Sequence, residues 1–457
     1  LAVFGVLGGR RPSSLAPCGH RSHDPNSTAP NHRKKKEEMT GTNEVARPPV
    51  VNECPFDPLN PEQLRDPHPW LSQARKAAPV FYVPEVDEWW VTRYDDCLTA
   101  LRDTATYSSR NVIEFQQVNE IEELLPDGDP RGEPLVNTDP PEHSRLRGFA
   151  QRAFTAKAVA EYEPEARRLA DELVDGFIGA RSADLYQEFA QPLTMQMICG
   201  IMGIPTEEVA NFGRLAGGLV EATEAGSPSV PAAQRRAAAE RVLAYDTWLR
   251  AFIAHKRETP GNDLTSRLVT ATSDDSSPAL TTREVVRLVS NLFFAGFENS
   301  ASLIGAAIFA LLRDRALWEK VKADPGLVPM VIEEALRAES PARGLRRYVT
   351  RDTVLAGIPI PQGSTVILAF ASAMRDETVF SDPDTFSLER QDVNKHFSLG
   401  KWTHFCLGAP LARMEGRVAL ECLIRRLPDL RLGEGEQLQN RRAHRILTAL
   451  QSLSVTW

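Results

Sequence analysis

From about residue 135 to residue 340, apolar positions recur three and four apart, the spacing of one buried face of an α-helix. A Gly/Pro/Ser-rich break interrupts the pattern at 224–232, and the acidic, Gly- and Pro-bearing residues 111–134 ahead of it predict a loop. The longest predicted helix opens at Thr281. Thr281 and Glu284 form a Thr-x-x-Glu capping box, in which each side chain satisfies a backbone N–H of the first turn. Apolar residues then continue to about Leu312, and a helix of about 32 residues spans roughly 48 Å at 1.5 Å per residue, enough to cross a whole domain. Asp324-Pro325 supplies the cap and first turn of the next helix, which runs to Arg337 and stops before Pro341. β-Type runs are short. Residues 79–83 and 89–92 flank a Pro-Glu-Val-Asp turn and predict a hairpin, residues 94–101 return to helical spacing, and 347–370 alternate strand-like runs with Gly and Pro turns. The expected fold is mainly α with a small β portion, and no internal repeat is visible.

Composition narrows the class. Apolar residues make up 42% and charged residues 25%, as in ordinary soluble globular chains. A net charge of −8 leaves no overall basic footprint, so no nucleic-acid partner is expected. The most apolar stretch, 285–312, carries Arg287, Glu298 and Asn299, which a membrane span tolerates poorly. The first nine residues lack the positive region of a signal peptide. Cys18, Cys54, Cys97, Cys199, Cys406 and Cys422 show no paired spacing, which suits free thiols in a reducing compartment. The expectation is a cytoplasmic monomer with no membrane partner.

Residues 1–38 are polar and without apolar periodicity, and read as a disordered or untranslated upstream segment. Lys34, Lys35, Lys36, Glu37 and Glu38 require purine-only codons, so a ribosome-binding site followed by a start at Met39 is expected. The intact mass of protein made from the native gene context tests that. Residues 39–49 are expected to be a flexible N-terminus and 50–457 a single domain. A metal site from Cys18, His20 and His23 is not expected in such a tail.

The chemistry concentrates in Leu399-Gly400-Lys401-Trp402-Thr403-His404-Phe405-Cys406-Leu407-Gly408, followed by the helical run Ala409-Pro410-Leu411-Ala412-Arg413-Met414-Glu415. A cysteine just ahead of a helix N-terminus meets unpaired amides and the positive end of the dipole, both of which favour thiolate. Phe405 and Leu407 would exclude water. An amide-bonded thiolate in apolar surroundings suits an iron ligand, although a lone cysteine here is equally read as a buried structural residue.

This segment resembles the haem-binding loop of the cytochromes P450, Phe-Gly-x-Gly-x-His-x-Cys-x-Gly continuing into Ala-x-x-x-Ala-Arg-x-Glu. Gly400, His404, Cys406, Gly408, Ala412, Arg413 and Glu415 stand at matching positions. Glu334-Ala-Leu-Arg337 is similar to the family's Glu-x-x-Arg, which on a helix shares one face and can fix the core as a buried pair, or else be a surface ion pair. Asp139-Pro-Pro-Glu-His143 with Arg147, and Arg347 before Asp352, resemble the family's haem-propionate contacts. Ala373-Met-Arg375-Asp376 through Phe380 and from Pro383 to Phe386 resembles its run toward the cofactor loop. The likeness covers roughly residues 50–457. It implies the cytochrome P450 fold, with haem b (iron protoporphyrin IX) between the long helix and the Cys-loop helix and Cys406 as its metal ligand. His143, Arg147, Ala295, Gly296, Arg347, Leu399, His404 and Gly408 would surround it.

Ala295-Gly296-Phe297-Glu298-Asn299-Ser300 resembles the family's Ala-Gly-x-Asp/Glu-Thr, the stretch that faces oxygen. A small residue leaves room there. Glu298 is the acid that can relay protons, though it is also read as an ion-paired helix residue. Asn299 stands where threonine is usual and has donor and acceptor but no hydroxyl, so it is expected to order a relay water. Ser300 offers a hydroxyl about 100° further round. Leu399 replaces the usual Phe and Trp402 a usually small residue, which bears on thiolate shielding and redox-partner docking. The resemblance implies a pocket from 111–134, Phe293, Phe294, Phe297 and Ala342-Arg343-Gly344-Leu345. Arg343 would either pair with a substrate carboxylate or turn away. The implied activity is a monooxygenase hydroxylating or dealkylating a small organic substrate. No reductase-like sequence follows Trp457, so a separate ferredoxin-type donor and its reductase are expected to supply electrons. A peroxide-using variant, a non-catalytic haem-thiolate sensor, and a haem-free enzyme with Cys406 as nucleophile and His404 as base are the competing readings. The last needs two residues only two apart to face each other.

Overall fold

Apolar faces at helical spacing, closed by local caps, account for most of the chain. The computed structural model describes residues 54–457, apart from 111, 113–123, 126–129, 131, 133–134, 226–230, 273–277, 435–444 and 449. The Met39 start, the Cys18/His20/His23 group and most of the 111–134 loop lie outside the described residues.

The helices are α1 (Pro61–Arg65), α2 (His68–Ala77), α3 (Tyr94–Arg102), α4 (Glu142–Gln151), α5 (Ala156–Phe177), α6 (Gln191–Met202), α7 (Val209–Ala225), α8 (Ala232–Glu258), α9 (Leu264–Thr270), α10 (Thr282–Arg313), α11 (Arg315–Ala323), α12 (Val328–Ala338), α13 (Phe370–Ala373) and α14 (Ala409–Arg426). The predicted hairpin is present as β1 (Val80–Val83) and β2 (Glu88–Val91), paired antiparallel. Further strands are β3 (Tyr107–Ser108), β4 (Ser182–Asp184), β5 (Leu345–Val349), β6 (Thr353–Leu355), β7 (Ile358–Ile360), β8 (Thr365–Leu368), β9 (Arg431–Leu432) and β10 (Ser454–Thr456). The main sheet has the order β1-β2-β8-β5-β3, with β2 and β8 parallel. Two small sheets, β4-β10-β9 and β6-β7, lie apart from it.

The long helix forms as its sequence predicts. Thr281 Oγ1 accepts from the Glu284 amide while the Glu284 carboxylate accepts from the Thr281 amide at 2.7 Å, so the capping box is closed both ways. α10 is long and apolar enough to cross a membrane, but 72% of its apolar window is buried within the protein. It is the central helix of the core, packed on α6, α8, α12 and α14. Each large aliphatic or aromatic side chain it buries contributes about 1.5–3 kcal/mol. After Asp324, a 3-10 turn (Pro325–Leu327) precedes α12, so the predicted helix begins one turn later than the cap suggests.

Candidate functional site

The cysteine loop folds back on itself just ahead of α14. Gly400 has φ +72°, and a Cβ there would lie 2.9 Å from the carbonyl oxygen of His404, so both conformation and space require glycine. The Cys406 amide donates to Leu399 O at 2.7 Å, closing the loop. Leu399 itself packs on the helical core. Trp402 has φ +54°, in the left-handed region that favours glycine, which explains why a small residue is the easier choice. Its indole is exposed and lies under the Arg102 guanidinium, 4.9 Å from the ring centroid. Gly408 is different: its φ is ordinary and a Cβ would meet nothing within 4 Å, so neither backbone nor protein neighbours demand glycine there.

Burial raises the Cys406 thiol above its ordinary pKa, against the Gly408 and Ala409 amides and the Arg147 and Arg413 cations, all of which favour thiolate. The sequence predicts the contribution of the amides but not that of the two cations. Desolvation outweighs them all, so an electrophilic partner such as a metal is needed to hold the thiolate.

Four basic side chains converge beside this loop. His143 is buried on α4, and its ring lies 4.1 Å from that of His404, centroid to centroid. Burial, then Arg147, depresses His143 to about 4; burial, then His143, Arg347 and Arg147, depresses His404 to about 3. Both rings are neutral at working pH. Burial lowers the pKa of Arg147, which lies within the field of Cys406. Arg347, on β5, is 2% exposed and is lowered by burial to about 10, with Asp139 opposing. Its Nη1 donates to Arg346 O, while its Nε and His143 Nδ1 have no hydrogen-bond partner among the described residues. Neither Arg147 nor Arg347 is hydrogen-bonded to a carboxylate among those residues. A buried and a half-buried cation of this kind call for an anionic ligand.

On α10, only Ala295 and Asn299 are exposed between Val285 and Leu312. Four residues apart, they share one face. Asn299 Nδ2 donates to Ala295 O at 3.2 Å, and Glu298 is half-buried next to them. Other predicted members of this site point elsewhere. A Cβ on Gly296 would meet Ile198 Cδ1 at 2.9 Å, so the glycine admits α6 to close approach. Phe293 and Phe297 are buried and stacked on each other, and Phe293 packs edge-on against Phe212 of α7. They lie two residues before and after Ala295, about 200° round the helix. Phe294 is half-buried and nearer the open face. Ser300 is buried against Glu415 of α14, as its step of about 100° from Asn299 dictates.

Arg343 does not turn to solvent; it lines a small cavity with Phe56, Leu64, Leu71 and Trp90. It is buried, with Nη1 donating to Leu64 O and Nε to Thr448 Oγ1 at 2.7 Å. Ala342 bridges to Leu447, the Gly344 amide donates to Ile446 O, and Leu345 packs on the sheet cluster. Glu334 and Arg337 form the buried fork their spacing predicts, with two bonds of 2.8 Å.

Two participants, Arg390 and Ser109, had no local sequence signal, and a third, Glu415, was visible only as a motif position without its burial. Arg390 adds a second guanidinium to Glu334, with Nε donating to Oε1 at 2.9 Å. Ser109 Oγ lies 2.9 Å from His404 Nε2. Glu415 is fully buried and touches Ser300.

The "Cytochrome P450" family model matches residues 326–447. The chain is 33% identical over 373 residues to the putative cytochrome P450 YjiB of Bacillus subtilis, covering 81% of this chain and 90% of that one. It is 34% identical over 398 residues to the nocardicin C N-oxygenase of Nocardia uniformis, covering 86% and 96%. Among solved structures, the bacillaene polyketide synthase cytochrome P450 PksS of Bacillus subtilis superposes with a TM-score of 0.76 at 28% identity, covering 88% of this chain and 99% of that one.

Proposed function

Since this chain belongs to the cytochrome P450 family and is a monooxygenase of that family, we propose that it holds haem b through Cys406 and inserts one oxygen atom into a small organic substrate. Residues 50–457 form its single domain in this reading, which the grouping of the described residues from Cys54 to Trp457 in one compact unit supports. The observation that carries the proposal is the convergence on one loop of Cys406, the neutral pair His143 and His404, the half-buried guanidinium of Arg147 and the buried one of Arg347. A porphyrin with two carboxylates fits this set. Arg147 and Arg347 would take the carboxylates, His143 Nδ1 and Arg347 Nε have donor capacity to spare, and the open space at Gly408 admits a flat group close to the backbone.

When bound, the haem supplies dioxygen activation and oxygen insertion. The chain's own residues orient and deliver. The Gly408 and Ala409 amides favour the charged sulfur and would help a bound metal hold it as thiolate. Ala295 keeps the exposed face of α10 open. Asn299, tethered to Ala295 O through Nδ2, keeps its amide oxygen for a water, and Glu298 carries the proton to that water. Phe294 and Leu345 border the substrate space. Electrons come singly from a ferredoxin-type donor served by its reductase.

The test is the difference spectrum of the dithionite-reduced protein with and without carbon monoxide. The expected result is a strongly red-shifted Soret band that Cys406→Ala abolishes. A band unaffected by Cys406→Ala, or no haem band at all, would overturn the proposal.

A further inference from the structure

Glu333 neighbours Glu334 on α12 but serves a different partner. Its Oε1 accepts from Arg413 Nε at 2.5 Å and its Oε2 from Arg413 Nη2 at 2.9 Å, a two-pronged fork. His396 Nε2, in the loop leading to Cys406, lies 2.9 Å from the same Oε2. One carboxylate thus joins α12, the approach to the cysteine loop and the opening turns of α14. Although burial works against its charge, the bonds from Arg413 and His396 hold Glu333 at about 2, so it is ionised at any working pH.

Arg413 lies on the second turn of α14, the helix that Cys406 precedes by three residues. Its charge, after that of Arg147, favours the Cys406 thiolate. Arg147 has the role of binding the cofactor's carboxylate, whereas the field of Arg413 is set by the chain itself, through Glu333. Reduction of a metal at Cys406 adds one electron. A cation nearby stabilises the reduced form and raises the midpoint potential, and a carboxylate beside that cation does the opposite. Lysine could not reproduce the fork, because a point-charge ammonium does not fix a plane against two oxygens.

We propose that Glu333 is a positioning residue that fixes Arg413 beside the cysteine-bearing turn and so sets the reduction potential of the metal bound at Cys406. The inference rests on Cys406 being the metal ligand. Neither Glu333 nor Arg413 touches substrate or reacting atoms in this arrangement, so the readout is a potential and not a rate.

The experiment is spectroelectrochemical titration of the haem-loaded variants, with the carbon monoxide spectrum recorded on each. Arg413→Gln shifts the midpoint down; Glu333→Gln, whose amide oxygen still accepts from Arg413 while the opposing charge is gone, shifts it up; and Arg413→Lys, which keeps the charge without the fork, falls between Arg413→Gln and wild type. The Soret band of the carbon monoxide complex stays at the thiolate position throughout. Unmoved midpoints under an intact thiolate band would overturn this inference while leaving the ligand reading standing. A wild-type protein without that band would overturn both. Should Arg413→Gln fail to take up haem, Glu333→Gln and Arg413→Lys carry the same test, and an unmoved midpoint in both rejects the proposal.

Discussion

Glu415 shows what a single buried group does to the behaviour of the chain. It has no solvent exposure, and burial, only partly offset by Ser300, pushes its pKa from 4.5 to about 8. In the folded protein it is therefore an uncharged acid at neutral pH. As pH rises past the ordinary carboxylate range, the unfolded chain loses this proton while the folded chain keeps it. Stability therefore falls across the window from 4.5 to about 8 and levels off above it. The loss is on the order of a few kcal/mol. Glu415→Gln, similar in shape and neutral at every pH, should flatten this slope and be the more stable form at the alkaline end. Urea unfolding at several pH values across the window measures it, and parallel pH profiles for the two proteins would reject the account. Sequence matching finds Glu415 as a motif position, but its neighbour Ser300 comes from a helix 115 residues away in the chain and leaves no local pattern. The same holds for Ser109 on His404, 295 residues apart, and Arg343 on Leu64, 279 apart. What was legible at this scale was whatever is fixed by adjacency: the Glu334–Arg337 fork, the glycine at Gly400 and the position of Cys406 before a helix.

At the scale of elements, periodicity and caps recovered α10, the β1–β2 hairpin and the Glu-x-x-Arg helix because those signals are local. Which face of α10 looks where is decided by its neighbours. Gly296, expected to make room for oxygen, instead admits Ile198 of α6, with a Cβ meeting Cδ1 at 2.9 Å and Cγ1 at 3.1 Å. Adding that methyl brings two opposing effects. Alanine gains about 1 kcal/mol of helix propensity over glycine, while overpacking a dense interface costs about 1–3 kcal/mol. Gly296→Ala should therefore be neutral to destabilising alone. In an Ile198→Ala background, where only the ordinary 3.7 Å contact to Cβ remains, it should become stabilising by about 1 kcal/mol. A double-mutant cycle by denaturant unfolding gives the coupling, expected at about 1 kcal/mol or more. Additive effects would mean that α6 and α10 do not meet through this glycine.

At the scale of the whole molecule, the site is a set of costs that one ligand removes. Among the described residues, Arg347, at 2% exposure, has a carbonyl and no carboxylate bonded to its guanidinium, and Arg147, His143 and His404 are all desolvated around it. Taking a cation out of water without a partner costs several kcal/mol, whereas binding an anionic cofactor to the folded state alone stabilises it by about 4 kcal/mol when the ligand is a thousandfold above its Kd. Folding and cofactor binding are coupled through these charges, so a substitution at Arg347 should act with opposite sign in the two forms. Arg347→Leu removes an uncompensated buried charge from the haem-free protein and should leave its Tm unchanged or raised. In the haem-loaded protein, on the proposal that Arg347 holds a cofactor carboxylate, it removes that partner and should lower Tm by several degrees, closing part of the gap between the two forms. Differential scanning calorimetry of wild type and variant, each with and without haem, reads all four values. A variant that loses the same amount in both forms would show Arg347 to be a packing residue whose charge has no bearing on what the site binds.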